Sequence, residues 1–279
     1  MRILVTNDDG IDSLGLHALA NAMRPFGEVT VIAPASEFSG AGASLGTLTF
    51  EDPVARKVKV DALDGMETWS ITGPPALCVM HAQLGAFGDP YDLIVSGINP
   101  GQNVGWSVYH SGTIGAALTG RNRGTSGLAM SIGFNGEEVM GQTWPEIVTG
   151  MKWDTAATVA SPIVEAMLAE PSSKPVVINC NVPNKAIEDL DGWSLAPVST
   201  DPPRKLVASK LRDDGTDDEG ERFRLRMDWG TKGEAAEGTD AYLVRHNTVS
   251  MTWLGDLCET EPEPAHHDAV ATRLDALFT

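Results

Sequence analysis

Short β-branched runs that break into turn residues and give way to helical spacing constrain this chain most. "RILVT" (2–6) and "VTVIAP" (29–34) flank a segment in which Leu14, Leu16, Leu19, Ala20 and Met23 recur at helical spacing until Pro25 and Gly27 stop it. A crossover of that length joins parallel strands. The pattern repeats. "ARKVKVDAL" (55–63) alternates as a half-exposed strand, and "TWSITG" (68–73) is a short strand with a helix predicted from Pro75. "YDLIVSGIN" (91–99) is a continuous apolar run suited to a central strand, and "TIGAALTGRNRG" (113–124) a small-residue helix. "GLAMSIGF" (127–134) is a strand, "TAATVASPIVEAMLAE" (155–170) a helix with an internal proline, and "KPVVINCNVPN" (174–184) a further strand. Alternation of this kind predicts an α/β fold with a Rossmann-like, doubly wound, mostly parallel sheet in three layers.

The pattern changes near residue 200, which divides a Rossmann-like catalytic core (1–200) from a C-terminal extension (201–279). Residues 204–229 hold two possible strands around an acidic, glycine-containing turn. "GTDAYLVRHNTVSMTWL" (238–254) reads as a helix or turn and then a strand. "ETEPEPAHH" reads as a linker, and "DAVATRLDALF" (268–278) as a terminal amphipathic helix. The extension is expected to be an arm rather than a second globular domain.

The 279 residues carry a formal charge of −18. That field repels polyanions, so binding to duplex nucleic acid or a membrane surface is not expected. Cys78, Cys180 and Cys258 lack metal-site spacing and read as buried free thiols. Met1 leads straight into a strand pattern without a signal peptide, and no apolar run approaches the ~20 residues of a membrane span. A cytoplasmic protein is expected.

Ligands of open α/β sheets bind beyond the carboxyl ends of the strands, so the residues after each strand are the candidates. Asn7, Asp8, Asp9 and Gly10 follow the first. "PASEFSGAGASLG" (34–46) follows the second, and Ser96, Asn99 and "HSGTIG" (110–115) follow the central run. Adjacent carboxylates disfavour each other's ionisation. Asp8 and Asp9 therefore either make a turn and cap a helix, or hold a cation. The G-x-G of "SGAGASLG" lacks dinucleotide-binding spacing, but bare amides with Ser39 and Ser44 suit an anion. Ser111 and Thr113, flanking Gly112 at a predicted helix start, are either plain caps or phosphate ligands. Two carboxylates, a hydroxyl and an amide oxygen suit a hard divalent cation such as Mg²⁺, Mn²⁺ or Ca²⁺. Such an ion beside phosphate-binding loops fits phosphomonoester hydrolysis, neutralising the phosphoryl group and activating water for in-line attack.

"MRILVTNDDGIDSLG", "VIAPASEFSGAGASLG", "DLIVSGINPGQNVG" and "HSGTIGAALTG" resemble, in order, the four signature segments of the SurE family, the 5′/3′-nucleotidases. "INCNVPN" (178–184) and residues 238–254 resemble its later segments. The resemblance implies a metal-dependent phosphatase of nucleoside monophosphates, with some members also acting on short polyphosphate. Carried over by motif, the metal ligands are Asp8, Asp9, Ser39 and Asn99, around one divalent metal per subunit. Asp8 or Asp9 assists proton transfer, and Asn7, Gly40, Ser111, Gly112 and Thr113 bind phosphate. The resemblance also implies a homodimer or homotetramer built through the C-terminal extension. Departures from the family pattern are Pro74 and Leu77 in "GPPALCV" (73–79), Phe38 at an often basic position, and Trp253 in place of a proline. The alternative is a phosphate-binding, receiver-like switch without hydrolase activity. It would need an acceptor aspartate after the third strand, and "TWSITGPP" has none.

Overall fold

The computed structural model describes residues 1–46, 52–133, 142–200, 206–230, 233–256 and 263–276. In chain order its first half comprises β1 (Arg2–Thr6), α1 (Leu14–Met23), β2 (Glu28–Pro34), β3 (Ala55–Lys57), β4 (Glu67–Ile71), α2 (Pro75–Gln83), β5 (Leu93–Pro100), α3 (Gly112–Asn122) and β6 (Gly127–Gly133). There follow α4 (Trp144–Gly150), α5 (Trp153–Ala169), β7 (Val177–Pro183), β8 (Trp193–Leu195), β9 (Leu206–Asp217), β10 (Gly220–Trp229), α6 (Asp240–Arg245), β11 (Val249–Leu254) and α7 (Pro264–Asp275).

Nine strands form one sheet in the order β3-β4-β2-β1-β5-β6-β7-β11-β8. The six from β4 to β7 run parallel; β3 and β11 pair antiparallel with β4 and β7. The alternation of buried side chains along each strand builds two cores. Ile3, Val5, Val31 and Val95 meet Leu16, Leu19 and Met23 of α1 and Val164 of α5 on one face. Leu4, Ile32 and Ile94 meet Cys78 and Val79 of α2 and Ala116 of α3 on the other. Helices on both faces make the α/β three-layer fold that the alternation predicts.

Strand order reverses at β1. The chain winds outward through β2 and β4, then crosses back to place β5 on the other side, with Thr6 beside Ser96. A crevice opens at such a reversal beyond the strand ends. Glycine lets the helices close in around it: a Cβ at Gly15 of α1 would lie 2.1 Å from Ile98 O.

Some boundaries differ from the sequence reading. Only residues 55–57 of 55–63 are strand, because Asp61–Leu63 turn into a 3₁₀ segment that buries Leu63. The terminal helix starts at Pro264, whose fixed φ suits a first turn, so His266 and His267 lie within it. The residues after 200 do not form one piece. Among the described residues β9 and β10 pair only with each other, whereas the chain then returns and inserts β11 between β7 and β8. Ser250, Met251 and Thr252 of that strand are buried, and this burial draws it into the core sheet. Cys258 and Phe134 lie outside the described residues. Among those described, no helix is long and apolar enough to cross a membrane.

Candidate functional site

The Asn7–Gly10 turn ends β1 at the strand-order reversal. Asn7 closes it by donating from Nδ2 to Gly10 O at 3.1 Å, and Gly10 takes φ +98°, a conformation glycine accepts without strain. Helix α1 is capped separately by Ser13, whose hydroxyl accepts from Leu16 N. The acid pair is therefore not the helix cap, and one explanation for it drops out.

Asp8 is 3% exposed. Its Oδ1 accepts from Thr113 Oγ1 at 2.7 Å across 105 residues of sequence. Burial raises its pKa, while the Thr113 hydroxyl and the Gly112 and Thr113 backbone amides act in the opposite direction. The N-terminus of α3 thus faces a carboxylate of the protein itself. Gly112 makes that approach possible, since a Cβ there would lie 2.7 Å from Asp8 Cβ and 2.8 Å from Oδ2. Asp9 is pushed up to about 8, first by burial, then by the charges of Asp8 and Glu37. Its Oδ2 is buried with no hydrogen-bond partner among the described residues, and the same holds for Asn7 Oδ1 and Ser96 Oγ.

The loop after β2 folds onto this turn: Phe38 N donates to Asp8 O at 2.7 Å, and Ile11 N to Pro34 O at 2.9 Å. Ser39 Oγ donates to Glu37 Oε1 at 2.6 Å, so the serine sits beside the carboxylate whose charge reaches Asp9. Gly40 is exposed, with φ +80° and nothing near its missing Cβ. The loop is locked to α3 at Gly115, where a Cβ would lie 2.2 Å from Gly42 O. Pro74 borders the same loop, with its Cδ 3.8 Å from where a Gly46 Cβ would lie, while Leu77 is buried.

Asn99, at the end of β5, donates from Nδ2 to Gly101 O at 2.6 Å, a bond that does not use its Oδ1. Ser111 is the N-cap of α3; its Oγ accepts from Ile114 N at 3.1 Å and keeps its proton to donate outward. Thr113 instead uses its hydroxyl on Asp8. Of the residues expected to bind phosphate, Asn7 spends its amide N–H on Gly10 O, Ser111 keeps its hydroxyl proton, the Gly40 amide has no backbone acceptor among the described residues, and Thr113 and Gly112 pack against Asp8.

A divalent cation fits this set. The unpartnered Asp9 oxygen is a vacant donor, two crowded carboxylates need a positive charge between them, and the remaining donors are neutral oxygens. Among the described residues no group of three or more His, Cys, Asp and Glu side chains is placed to hold a metal, so such a centre would depend on Ser39 and Asn99 beside the acids.

Two residues at the site are not evident from sequence motifs. Glu37 is a third carboxylate near the pair, recognisable only once its loop folds over Asp8. Asp240 is fully buried in α6, and its carboxylate accepts from Gly105 N at 2.9 Å, Ser199 N at 2.8 Å and Ala241 N at 2.7 Å. It ties the loop that follows Asn99 to α6. Asn103 anchors the same loop through Asn179, Asn181 and Ser131.

Known proteins resemble this chain along most of its length. Residues 3–204 match the sequence model of the family described as Survival protein SurE. The 5'-nucleotidase SurE of Aliivibrio fischeri (strain ATCC 700601 / ES114) is 34% identical over 253 residues, 90% of this chain and 88% of that protein. The crystal structure of the SurE protein from Aquifex aeolicus has a TM-score of 0.71 to this one, at 30% identity, covering 93% of this chain and 95% of that one. With the acid pair, the serine loop and the Asn99 and Ser111 segments all at one sheet edge, and matches spanning most of its length, the chain belongs to the SurE family.

Proposed function

We propose that the protein is a divalent-metal-dependent phosphatase that hydrolyses nucleoside monophosphates to nucleoside and phosphate. The observation that carries this reading is the Asp8–Asp9 pair, with Asp8 buried, Asp9 half-buried and its Oδ2 unpartnered among the described residues, set where strand order reverses and flanked by hydroxyl- and amide-bearing loops. The name borne by the Aliivibrio relative supports the nucleotide as substrate.

Asp8, Asp9, Ser39 and Asn99 would hold the metal, Mg²⁺ or Mn²⁺ by the hardness of the donors. When bound, the metal supplies charge neutralisation at the phosphoryl oxygens and a lowered pKa for water. The protein's own groups do the remaining work. Thr113 fixes Asp8 by its Oδ1. Asp9 Oδ2, the unpartnered oxygen, would be given to the metal, whose charge would remove the proton that burial and crowding hold there in the metal-free protein. Ser111 Oγ and the Gly40 amide donate to phosphate oxygens. Without a lysine or arginine in the segments 7–13, 34–46 and 99–115, phosphate binding relies on these neutral donors and the metal.

The hairpin β9–β10 is the part of the C-terminal extension that we assign to subunit assembly, in a homodimer or homotetramer. Leu211 and Leu225 pair across it while 67% and 75% exposed, which suits a contact with another copy. The free, buried Cys78 and Cys180 thiols support a reducing cytoplasmic setting.

The test is phosphate release from a panel of nucleoside 5′- and 3′-monophosphates with Mn²⁺, with Mg²⁺, with chelator, and with Asp8→Asn. Changes in groups that only support a metal's ligands already cost about 10–100-fold, so the Asp8 substitution is expected to lose more than about a hundredfold. Hydrolysis that persists in chelator, or a fully active Asp8→Asn, would falsify the metal mechanism.

A further inference from the structure

The loop from β5 to α3 carries more than Asn99 and Ser111. Its 3₁₀ turn, Gly105–Tyr109, places Trp106 and Tyr109 three residues apart. Three residues make one turn of a 3₁₀ helix, so the two side chains eclipse on the same side. Both rings stand in solvent, Trp106 52% and Tyr109 75% exposed. Neighbouring exposed aromatics of this size mark a place where something flat is received.

Their position says what. Tyr109 is followed by His110 and the N-cap Ser111, so the rings stand on the approach to the phosphate end of the site. The serine loop abuts the backbone that carries Tyr109: Gly42 N donates to His110 O at 3.0 Å, and a Cβ at Gly42 would lie 3.0 Å from Tyr109 O. The turn beneath the rings is held firmly. Gly105 N donates to buried Asp240, a Cβ at Gly105 would lie 3.1 Å from Ser199 O, and Ser107 Oγ donates to Val104 O at 2.7 Å. A platform fixed before binding gives affinity at low entropic cost.

Charge points the same way. The loops around the site hold Asp8, Asp9, Asp12 and Glu37 and no lysine or arginine, in a chain of net charge −18. In the segments 7–13, 34–46 and 99–115 an anionic phosphomonoester meets no lysine or arginine, so affinity beyond the metal and the neutral donors of these loops is sought in the rest of the substrate. A nucleobase offers a π face, and stacking on aromatic side chains tolerates every base.

We propose that Trp106 and Tyr109 form the platform on which the base of the substrate stacks, and that they set the preference for nucleotides over base-free phosphomonoesters. The proposal rests on the nucleotidase reading above and adds to it the residues that read the leaving group.

The experiment compares 5′-AMP with ribose 5-phosphate in the Mn²⁺-loaded wild type, Trp106→Ala, Tyr109→Ala and the double variant. The ratio of kcat/KM for AMP to that for ribose 5-phosphate is expected to fall about five- to a hundredfold for each ring removed, chiefly through KM. Trp106→Phe, which keeps a ring, should retain most of the ratio. Adenosine should inhibit the wild type competitively and the double variant far less, while inorganic phosphate inhibits both alike. An unchanged ratio in the double variant overturns the platform, and so does an unchanged ratio accompanied by a lower solution mass, which would make the rings a contact between copies. A wild type that hydrolyses ribose 5-phosphate and no nucleotide defeats the nucleotidase reading instead, so the two failures are distinguishable.

Discussion

Asp9 shows how much of this site is decided by burial. An isolated aspartate is ionised well below neutrality, whereas here desolvation and two neighbouring carboxylates hold it protonated up to about pH 8. Because the folded pKa lies above the unfolded one, the folded metal-free protein binds more protons between about pH 4 and 8. Its stability is therefore full at the acid end of that window and falls as pH rises through it. Urea denaturation in chelator at pH 5 and pH 8 is expected to show the loss, and saturating Mn²⁺ should reverse it by displacing the proton. A metal-free protein equally stable at both pH values would contradict the crowding of these carboxylates. Gly112 supplies a second test at this scale. Alanine there would drive a methyl to 2.7 Å from Asp8 Cβ, so Gly112→Ala is expected to fold with a native circular dichroism spectrum yet lose tenfold or more in Mn²⁺ affinity by calorimetry. Asp8, Asp9, Ser39 and Asn99 were all legible as candidates from their places after strands. The partners of Thr113 were not, because a contact across 105 residues exists only after the sheet has formed.

Among the elements, the loop between β5 and α3 depends on an anchor far along the chain. Asp240 satisfies three backbone N–H groups, one of them at Gly105. Asp240→Asn would turn an amide donor toward at least one of those donors. A buried donor left unsatisfied costs about 1–3 kcal/mol. Chemical denaturation should register that loss of stability, and a substitution with no effect would mean the loop is held without Asp240. The strand and helix pattern through residue 133 was readable because apolar residues recur with the periods of the elements they build. β11 was readable as a strand but not as part of the core. Whether an antiparallel strand joins a sheet edge depends on which edge is left open, here β7.

For the whole molecule, β9–β10 pairs with no other described strand and carries exposed apolar residues on an otherwise charged ribbon. Its ion pairs, such as Lys210–Asp228 at 2.6 Å and Arg224–Asp214 at 2.7 Å, are exposed and contribute little to stability by themselves. Replacing residues 206–229 by a short glycine-serine linker is therefore expected to leave the core folded and to lower the solution mass measured by light scattering. An unchanged mass would remove the hairpin from assembly.

The order of residues along the chain was enough to specify the α/β alternation, the acid pair after the first strand and the oxygen donors after the second and fifth. Each of these is local: a period, a turn preference or a run of donor atoms within a few residues. Seating Asp8 on α3, bringing Glu37 toward Asp9, fastening Gly105 to Asp240 and bringing the serine loop at Gly42 against His110 are different in kind. They join segments up to 135 residues apart. Such contacts follow from which strands become neighbours when two cores close on one sheet, and no local pattern records that choice.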